Sequence, residues 1–246
     1  MSATCYLKRT AAGAALILMV AGFMTLVSAP GRADGGRDDG HDHGHGGPDK
    51  VSLGLSIAPV PLDMTRRERN LVGLGSYIVN AVADCNGCHS PGPQGEYAEN
   101  GNPYLFAPPS QHVHMSKKVN PATYLGGGRD FGAYPAPNSP LHIYSRNLTP
   151  DVTGKPGGLS LYDFLVIMKT GKDFDHLHPT CPDGTAQTAS CVPYPFDGDL
   201  LQVMPWPAFQ DMTRDDLTAI YSYLSAIPCI DTVVAGQPQL RNNCPK

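Results

Sequence analysis

The chain has 246 residues, of which 41% are hydrophobic, and a formal net charge of −4 at pH 7. This length accommodates one large domain or two small ones. A mildly acidic balance makes nucleic acid and anionic lipid surfaces poor candidates as partners.

Residues 1–33 are predicted to be a secretory signal peptide. Lys8 and Arg9 precede a charge-free apolar run over residues 11–27, and small residues follow as far as Ala33. That order is typical of an export signal. An uncleaved anchor is the alternative, because 17 apolar residues approach the length that spans a bilayer. We expect a periplasmic protein in either case, and any membrane association would use residues 11–27 or a partner.

Cleavage would make the mature chain more acidic. It removes Lys8, Arg9 and Arg32 and no acid, so that 15 basic residues remain against 22 acidic ones and the formal charge becomes −7.

Residues 34–61 are predicted to be a disordered linker rich in Gly, Asp and His, followed by a single domain over residues 62–246. Residues 34–50 contain almost no apolar side chain and cannot form a core. His41, His43 and His45 alternate with other residues as in a metal-binding tract. A flexible tether is the favoured interpretation, because ordering a glycine-rich chain around a metal costs conformational entropy.

The first helix of the domain is predicted over residues 66–84. Thr65 is its expected N-cap, and Leu71, Leu74, Ile78 and Val82 form one apolar stripe. Gly73 and Gly75 would weaken an isolated helix by about 1 kcal/mol each relative to alanine. Their position at mid-helix therefore predicts a close crossing with another helix.

A C-x-x-C-H motif follows this helix at residues 85–89. Cys85 and Cys88 lie one helical turn apart, which places two thiols where both could add to one porphyrin edge, and His89 could then bind the iron. Structural zinc would require a second nearby Cys/His pair, and a thioredoxin-like redox site would require a preceding strand. The motif predicts one covalently attached haem c.

The remaining chain contains two further predicted helices among long loops. Residues 90–140 are rich in proline and irregular, and Gly126–Gly128 could approach a haem or form a tight turn. A short helix is expected over residues 161–169, capped by Ser160 and Asp163. The last helix is expected over residues 214–226, capped by Thr213 and Asp216 and crossing the first helix near its glycines.

Met204 is the predicted second axial ligand of the haem iron, opposite His89. It precedes Pro205-Trp206-Pro207, a stiff segment that we expect to stay outside helices and to hold the thioether in place. The other mature methionines have simpler interpretations as core, cap or loop residues. Histidine ligation remains the alternative. The residues concerned are Met64, Met115, Met168 and Met212, and His112, His114, His176 and His178.

Four cysteines remain after the leader and the C-x-x-C-H motif are set aside, an even number in an oxidising compartment. Their spacing predicts the disulfides Cys181–Cys191 and Cys229–Cys244. Thiolate ligation of the iron by Cys181 or Cys191 is the alternative.

Four stretches resemble class I c-type cytochromes, in the variety found as cytochrome subunits of periplasmic dehydrogenases. The resemblance covers roughly residues 68–228, and it supports Met204 as a ligand. One departure concerns the segment whose carbonyl often steadies the iron-bound histidine, because Arg146-Asn147-Leu148 stands where the family has Pro-Asn-Leu/Ile. The stretches are GSYIVNAVADCNGCH, YLGGGRDFG, IYSRNLTPD and MPWPAFQDMTRDDLTAIYSYLSAIP.

The predicted fold is mainly α, a class I cytochrome c-like domain with three core helices, long Pro/Gly-rich loops and covalently bound haem. The predicted function is transfer of single electrons in a periplasmic respiratory or dehydrogenase chain, without catalysis and in contact with redox partner proteins. One alternative is an electron-accepting subunit of a membrane-associated dehydrogenase. Another is a haem enzyme or gas sensor with an open iron position.

Overall fold

The computed structural model describes residues 49–105, 117–182, 187–233, 242 and 244. The signal peptide, most of the predicted linker with His41, His43 and His45, and the candidates His112, His114 and Met115 lie outside the described residues. Within the described residues the elements are α1 (Lys50–Ile57), α2 (Arg69–Tyr77), a π-helical segment (Ile78–Val82), α3 (Cys85–Cys88), α4 (Pro93–Glu96), β1 (Asp130–Ala133), β2 (His142–Tyr144), α5 (Leu161–Thr170), α6 (Trp206–Phe209) and α7 (Arg214–Leu224).

The expected fold class is wrong. Instead of a mainly α domain with three core helices, the described residues form seven short α-helices, one π-helical segment and a two-stranded sheet. Helix accounts for only 32% of them. The arrangement is not clearly that of a three-helix cytochrome. Two differences are visible: a helix is gained before residue 62, and the predicted first helix changes from α-helix to π-helix at Ile78.

The helix gained is α1, which forms within the segment predicted as linker. Asp49 caps it by accepting hydrogen bonds from the backbone amides of Val51 and Ser52, at 2.8 and 2.9 Å. Its packing against α2 is very close, since a Cβ added to Gly54 would lie 1.9 Å from the Gly73 carbonyl oxygen. This short helix is therefore stabilised by tertiary contact as well as by its cap.

The predicted helix over residues 66–84 starts later and ends earlier than expected. Arg66 has a left-handed φ of 57°, and the Thr65 amide donates to Asp63 instead of Thr65 capping a helix. Helix α2 begins at Arg69 after Glu68, whose side chain makes no capping bond. Asp84, with φ of 45°, separates the π-helical segment from α3. The change to left-handed backbone ends helical propagation on both sides.

The two glycines of α2 do serve close helix crossings, as predicted. A Cβ on Gly75 would lie 1.9 Å from the carbonyl oxygen of Ala219 in α7, and one on Gly73 would lie 2.6 Å from Val51 in α1. Helix α2 is thus packed between α1 and α7. Val72 on α2 and Leu217 on α7 are fully buried in the same apolar cluster.

A buried polar network joins these helices to the following loop. The Tyr124 hydroxyl lies 2.5 Å from Asn80 Oδ1 and 2.8 Å from the Tyr223 hydroxyl. The Asn80 amide also donates to the carbonyl of Ser76, at 2.9 Å. Both tyrosines are buried, so each hydroxyl needs such a partner to offset the loss of water.

The caps of the two later helices are confirmed. The Ser160 hydroxyl accepts from the Asp163 amide at the start of α5, and the Thr213 hydroxyl accepts from the Asp216 amide at the start of α7, each at 3.1 Å. Gly171, with φ of 72°, ends α5 in the left-handed conformation. These ends follow from local sequence alone.

The predicted disulfides are also confirmed. Cys181 is bonded to Cys191 and Cys229 to Cys244, with Cα atoms 5.0 and 5.6 Å apart. The first fixes a loop beside the antiparallel pair of β1 and β2, where Val192 packs in a second small apolar cluster. This bond excludes Cys181 and Cys191 as thiolate ligands.

None of the helices in the described part of the chain is both long and apolar enough to cross a membrane.

Candidate functional site

The C-x-x-C-H residues occupy the single turn of α3 and its end. The left-handed Asp84 starts this turn, the Gly87 amide donates to the Asp84 carbonyl at 3.1 Å, and the His89 amide donates to the Cys85 carbonyl at 2.8 Å. The short helix therefore holds both cysteines and the histidine in a fixed order. Its asparagine is held too, because Oδ1 of Asn86 accepts from the Leu125 amide at 2.9 Å.

The two cysteines of the motif are free thiols in different environments. Cys85 is partly buried against the main apolar core, the cluster that contains Val72 and Leu217, whereas Cys88 is exposed. Burial raises the pKa of the Cys85 thiol to about 12, and the nearby Asp84 carboxylate acts in the same direction. Cys85 is therefore a protonated thiol at neutral pH.

The imidazole of His89 has a fixed tautomer. Its Nδ1 lies 2.7 Å from the backbone carbonyl oxygen of Arg146. Because a carbonyl can only accept, Nδ1 carries the hydrogen and Nε2 retains its lone pair. Burial lowers the pKa of His89, and the Arg146 carbonyl partly opposes this shift. The result is a neutral imidazole with one nitrogen free to bind a metal.

An apolar cavity lies beside this imidazole. Cys88, His89 and Met204 all line it, although they come from distant parts of the sequence. The space between protein atoms there, its open mouth included, amounts to about 1440 Å³. Most of the other lining side chains are hydrophobic, including Leu148, Leu159, Phe164, Ile167 and Met168.

Met204 is held by the turns on either side of it. Its amide donates to the Gln202 carbonyl at 2.7 Å, and its carbonyl accepts from the Trp206 amide at 2.8 Å. The Trp206 ring lies against Gly171, where an added Cβ would come within 2.3 Å of the indole. The expectation that Pro205-Trp206-Pro207 stays outside helices is wrong, because α6 begins at Trp206 with Pro207 in its first turn, where proline is tolerated.

The alternative ligands fall into two groups. Met168 and His178 also line the cavity. Met64 and Met212 pack against the main core, and Nδ1 of His176 lies 3.2 Å from Oδ1 of Asp199 at an exposed position. Among the residues that the structure describes, no three His, Cys, Asp or Glu side chains cluster as a metal site would require.

Two arginines of the site were not predicted from the sequence. The Arg129 guanidinium donates to the Gly87 carbonyl within the motif, and the Arg146 carbonyl holds His89. Residues 146–148 differ from the Pro-Asn-Leu/Ile segment that they resemble, and this difference drew attention to Arg146. It left open which backbone group orients His89. Nothing in the sequence around Arg129 indicated its contact.

The residues present fit a covalently bound haem. Two free thiols stand one turn apart, a neutral imidazole and a thioether line one cavity, and its walls are largely apolar. No protein-family model matches the chain, and no curated protein sequence matches it either. The site is therefore interpreted from its own residues.

Proposed function

We propose that the protein is an exported mono-haem c-type cytochrome that carries single electrons. The observation that carries the proposal is that Cys88, His89 and Met204 line one apolar cavity. Cys85 and Cys88 would hold the haem through thioether bonds, and His89 and Met204 would be its axial ligands. When bound, the haem supplies one reversible electron step between Fe(II) and Fe(III).

The residues around the cavity suit electron transfer. The carbonyl of Arg146 keeps the His89 ring oriented and makes its free nitrogen a better donor. Met204 offers a weak, neutral thioether, which favours the reduced state more than a second imidazole would. The apolar wall, including Phe164 and Ile167, limits access of water. A site closed by two protein ligands can change oxidation state with little rearrangement.

The proposed location is the periplasm. The leader predicts export, and the disulfides Cys181–Cys191 and Cys229–Cys244 suit an oxidising compartment. The proposed partners are redox proteins, a dehydrogenase or an oxidase.

The proposal is tested on protein exported by a host that attaches haem c. The haem should remain on the chain after denaturation in detergent, and the mass of the chain should increase by one haem. The folded protein should exchange one electron reversibly at an electrode and should not bind carbon monoxide when reduced. Ready binding of carbon monoxide, or turnover of peroxide, would instead support a haem enzyme or a gas sensor.

A further inference from the structure

Arg146 makes short hydrogen bonds through both its backbone carbonyl and its guanidinium group. Its backbone carbonyl accepts from Nδ1 of His89, at 2.7 Å. Its guanidinium donates to Oδ1 of Asp173 and to Oδ2 of Asp175, each at 2.6 Å. Such short charge-assisted bonds are about twice as strong as neutral ones.

The two carboxylates differ in exposure, and this sets their relative importance. The Asp173 side chain is 5% exposed, whereas that of Asp175 is 58% exposed. A buried carboxylate that loses its cationic partner is left uncompensated, which is strongly destabilising. An exposed pair contributes little because water screens it. The contact between Arg146 and Asp173 is therefore the one that holds the guanidinium.

Asp173 belongs to the loop that carries Met204. The Asp173 amide donates to the Asp199 carbonyl at 2.8 Å, and the Leu201 amide donates to the Gly171 carbonyl at 2.7 Å. These two bonds tie residues 171–173 to residues 199–201, three residues before Met204. These bonds therefore connect Asp173 to the segment that positions the Met204 thioether.

The backbone of Arg146 packs closely against Gly127. Gly127, with φ of 72°, approaches so closely that an added Cβ would lie 2.5 Å from the Arg146 carbonyl oxygen. The Gly127 amide also donates to the carbonyl of His89, at 2.9 Å. Gly127 therefore contacts the main chains of both Arg146 and His89 and limits how they can move relative to each other.

We propose that Arg146 and Asp173 are positioning residues that hold the Met204 segment at a fixed position relative to His89. Met204 would then stay on the haem iron and prevent added ligands from binding there. This inference rests on the proposed function. We name the contact between Arg146 and Asp173 the Arg146 brace. It explains why an arginine can occupy the position at which the Pro-Asn-Leu/Ile segment of class I cytochromes has proline. The arginine side chain supplies by ion pairing the rigidity that a proline ring would supply by covalent geometry.

The test measures the affinity of the oxidised holoprotein for added imidazole, which must displace the second axial ligand. Asp173→Asn and Arg146→Gln should each raise this affinity at least tenfold. Arg146→Lys retains the charge but loses the forked geometry of the guanidinium. Its affinity for imidazole should therefore lie between those of the wild type and Arg146→Gln. Asp175→Asn should change the affinity by less than threefold.

Asp63→Asn is the matched control, because it breaks an exposed aspartate–arginine pair with Arg67 that does not line the cavity. Its affinity for imidazole should equal that of the wild type. Thermal unfolding of every variant separates a local effect from global destabilisation. If Asp173→Asn fails to accumulate, Arg146→Lys tests the same contact with a smaller perturbation, and its affinity for imidazole should still exceed the wild-type value.

The outcomes separate the two proposals. Wild-type protein without covalently bound haem overturns the proposed function and the brace with it. Wild-type protein that carries haem and resists imidazole, together with an Asp173→Asn variant that resists it equally, overturns the brace alone. A tenfold gain in Asp173→Asn but not in Asp63→Asn supports it.

Discussion

His89 and Met204 line the same apolar cavity, although the first ends the one-turn helix α3 and the second lies in the loop that precedes α6. Each has its own restraint. The Arg146 carbonyl fixes the ring of His89, and turns on both sides fix the backbone of Met204. Two restrained side chains of different chemistry on one cavity are what the proposed haem site would require of its iron ligands.

Cys85→Ala or Cys88→Ala should each remove one thioether and leave little stable holoprotein. The double variant should carry no haem on the denatured chain, and its helicity should fall because the cavity then lacks the group that fills it. Haem staining and circular dichroism of the exported proteins provide the measurement. Unchanged helicity in a haem-free double variant would contradict this account of the site.

Gly75→Ala should destabilise the fold by at least about 3 kcal/mol, near the upper end of the usual cost of overpacking. The reason is the approach of Ala219, whose carbonyl oxygen lies 1.9 Å from the position of the new Cβ. Chemical unfolding gives the free energy.

Gly95→Ala is the control for this substitution. The three atoms nearest to its Cβ would all belong to the side chain of Pro91, the closest at 3.2 Å, and α4 contains no buried residue. Its free energy of unfolding should stay within about 1 kcal/mol of the wild type. Equal effects of the two substitutions would show that the helix crossing is looser than described.

Replacing Cys181 and Cys191 together by serine should lower the free energy of unfolding by about 2–3 kcal/mol. The bond closes a short loop beside the cluster that contains Val192. Mass spectrometry after alkylation without reductant should show neither cysteine labelled in the folded wild type. Labelling of Cys181 or Cys191 in the folded wild type would show that the disulfide is not formed.

Tyr124 should make the free energy of unfolding fall as the pH rises above about 10. Burial raises the pKa of Tyr124 well above its ordinary value, and the neighbouring Tyr223 acts in the same direction. The folded chain therefore keeps a proton that the unfolded chain releases, so the contribution is present below pH 10 and is lost above it. The slope with pH should become shallower in Tyr124→Phe, by up to about 1.4 kcal/mol per pH unit. Urea unfolding between pH 8 and 11 measures it.

Tyr162→Phe is the control for the pH experiment, because Tyr162 is 73% exposed. The slope of this variant should equal that of the wild type. Identical slopes in all three proteins would contradict the buried position of the Tyr124 hydroxyl.

Features set by local chemistry were predictable from the sequence. Ser160 and Thr213 cap their helices because their hydroxyls can reach an amide three residues ahead. The mid-helix glycines indicated a close crossing, because glycine has no other advantage within a helix. The disulfide pairs followed from an even count and short spacing.

Features set by tertiary contact were not predictable in this way. Helix α1 depends on the fit of Gly54 against Gly73, which no local pattern reveals. The end of the first predicted helix depends on Asp84, a residue type that adopts the left-handed conformation only in some contexts. The three-core-helix prediction failed because it assigned residues 50–57 to a linker and anticipated neither the one-turn helices α4 and α6 nor the two-stranded sheet.

Visible and near-infrared spectra of the oxidised holoprotein test the central claim most directly, since a methionine–Fe(III) charge-transfer band reports the second axial ligand. The wild type should show this band, and Met204→Ala should lose it, should have a lower reduction potential and should bind carbon monoxide when reduced. Met168→Leu, which changes the other methionine on the cavity, should keep the band. A wild-type spectrum without the band, or a band that survives Met204→Ala, would contradict ligation of the iron by Met204.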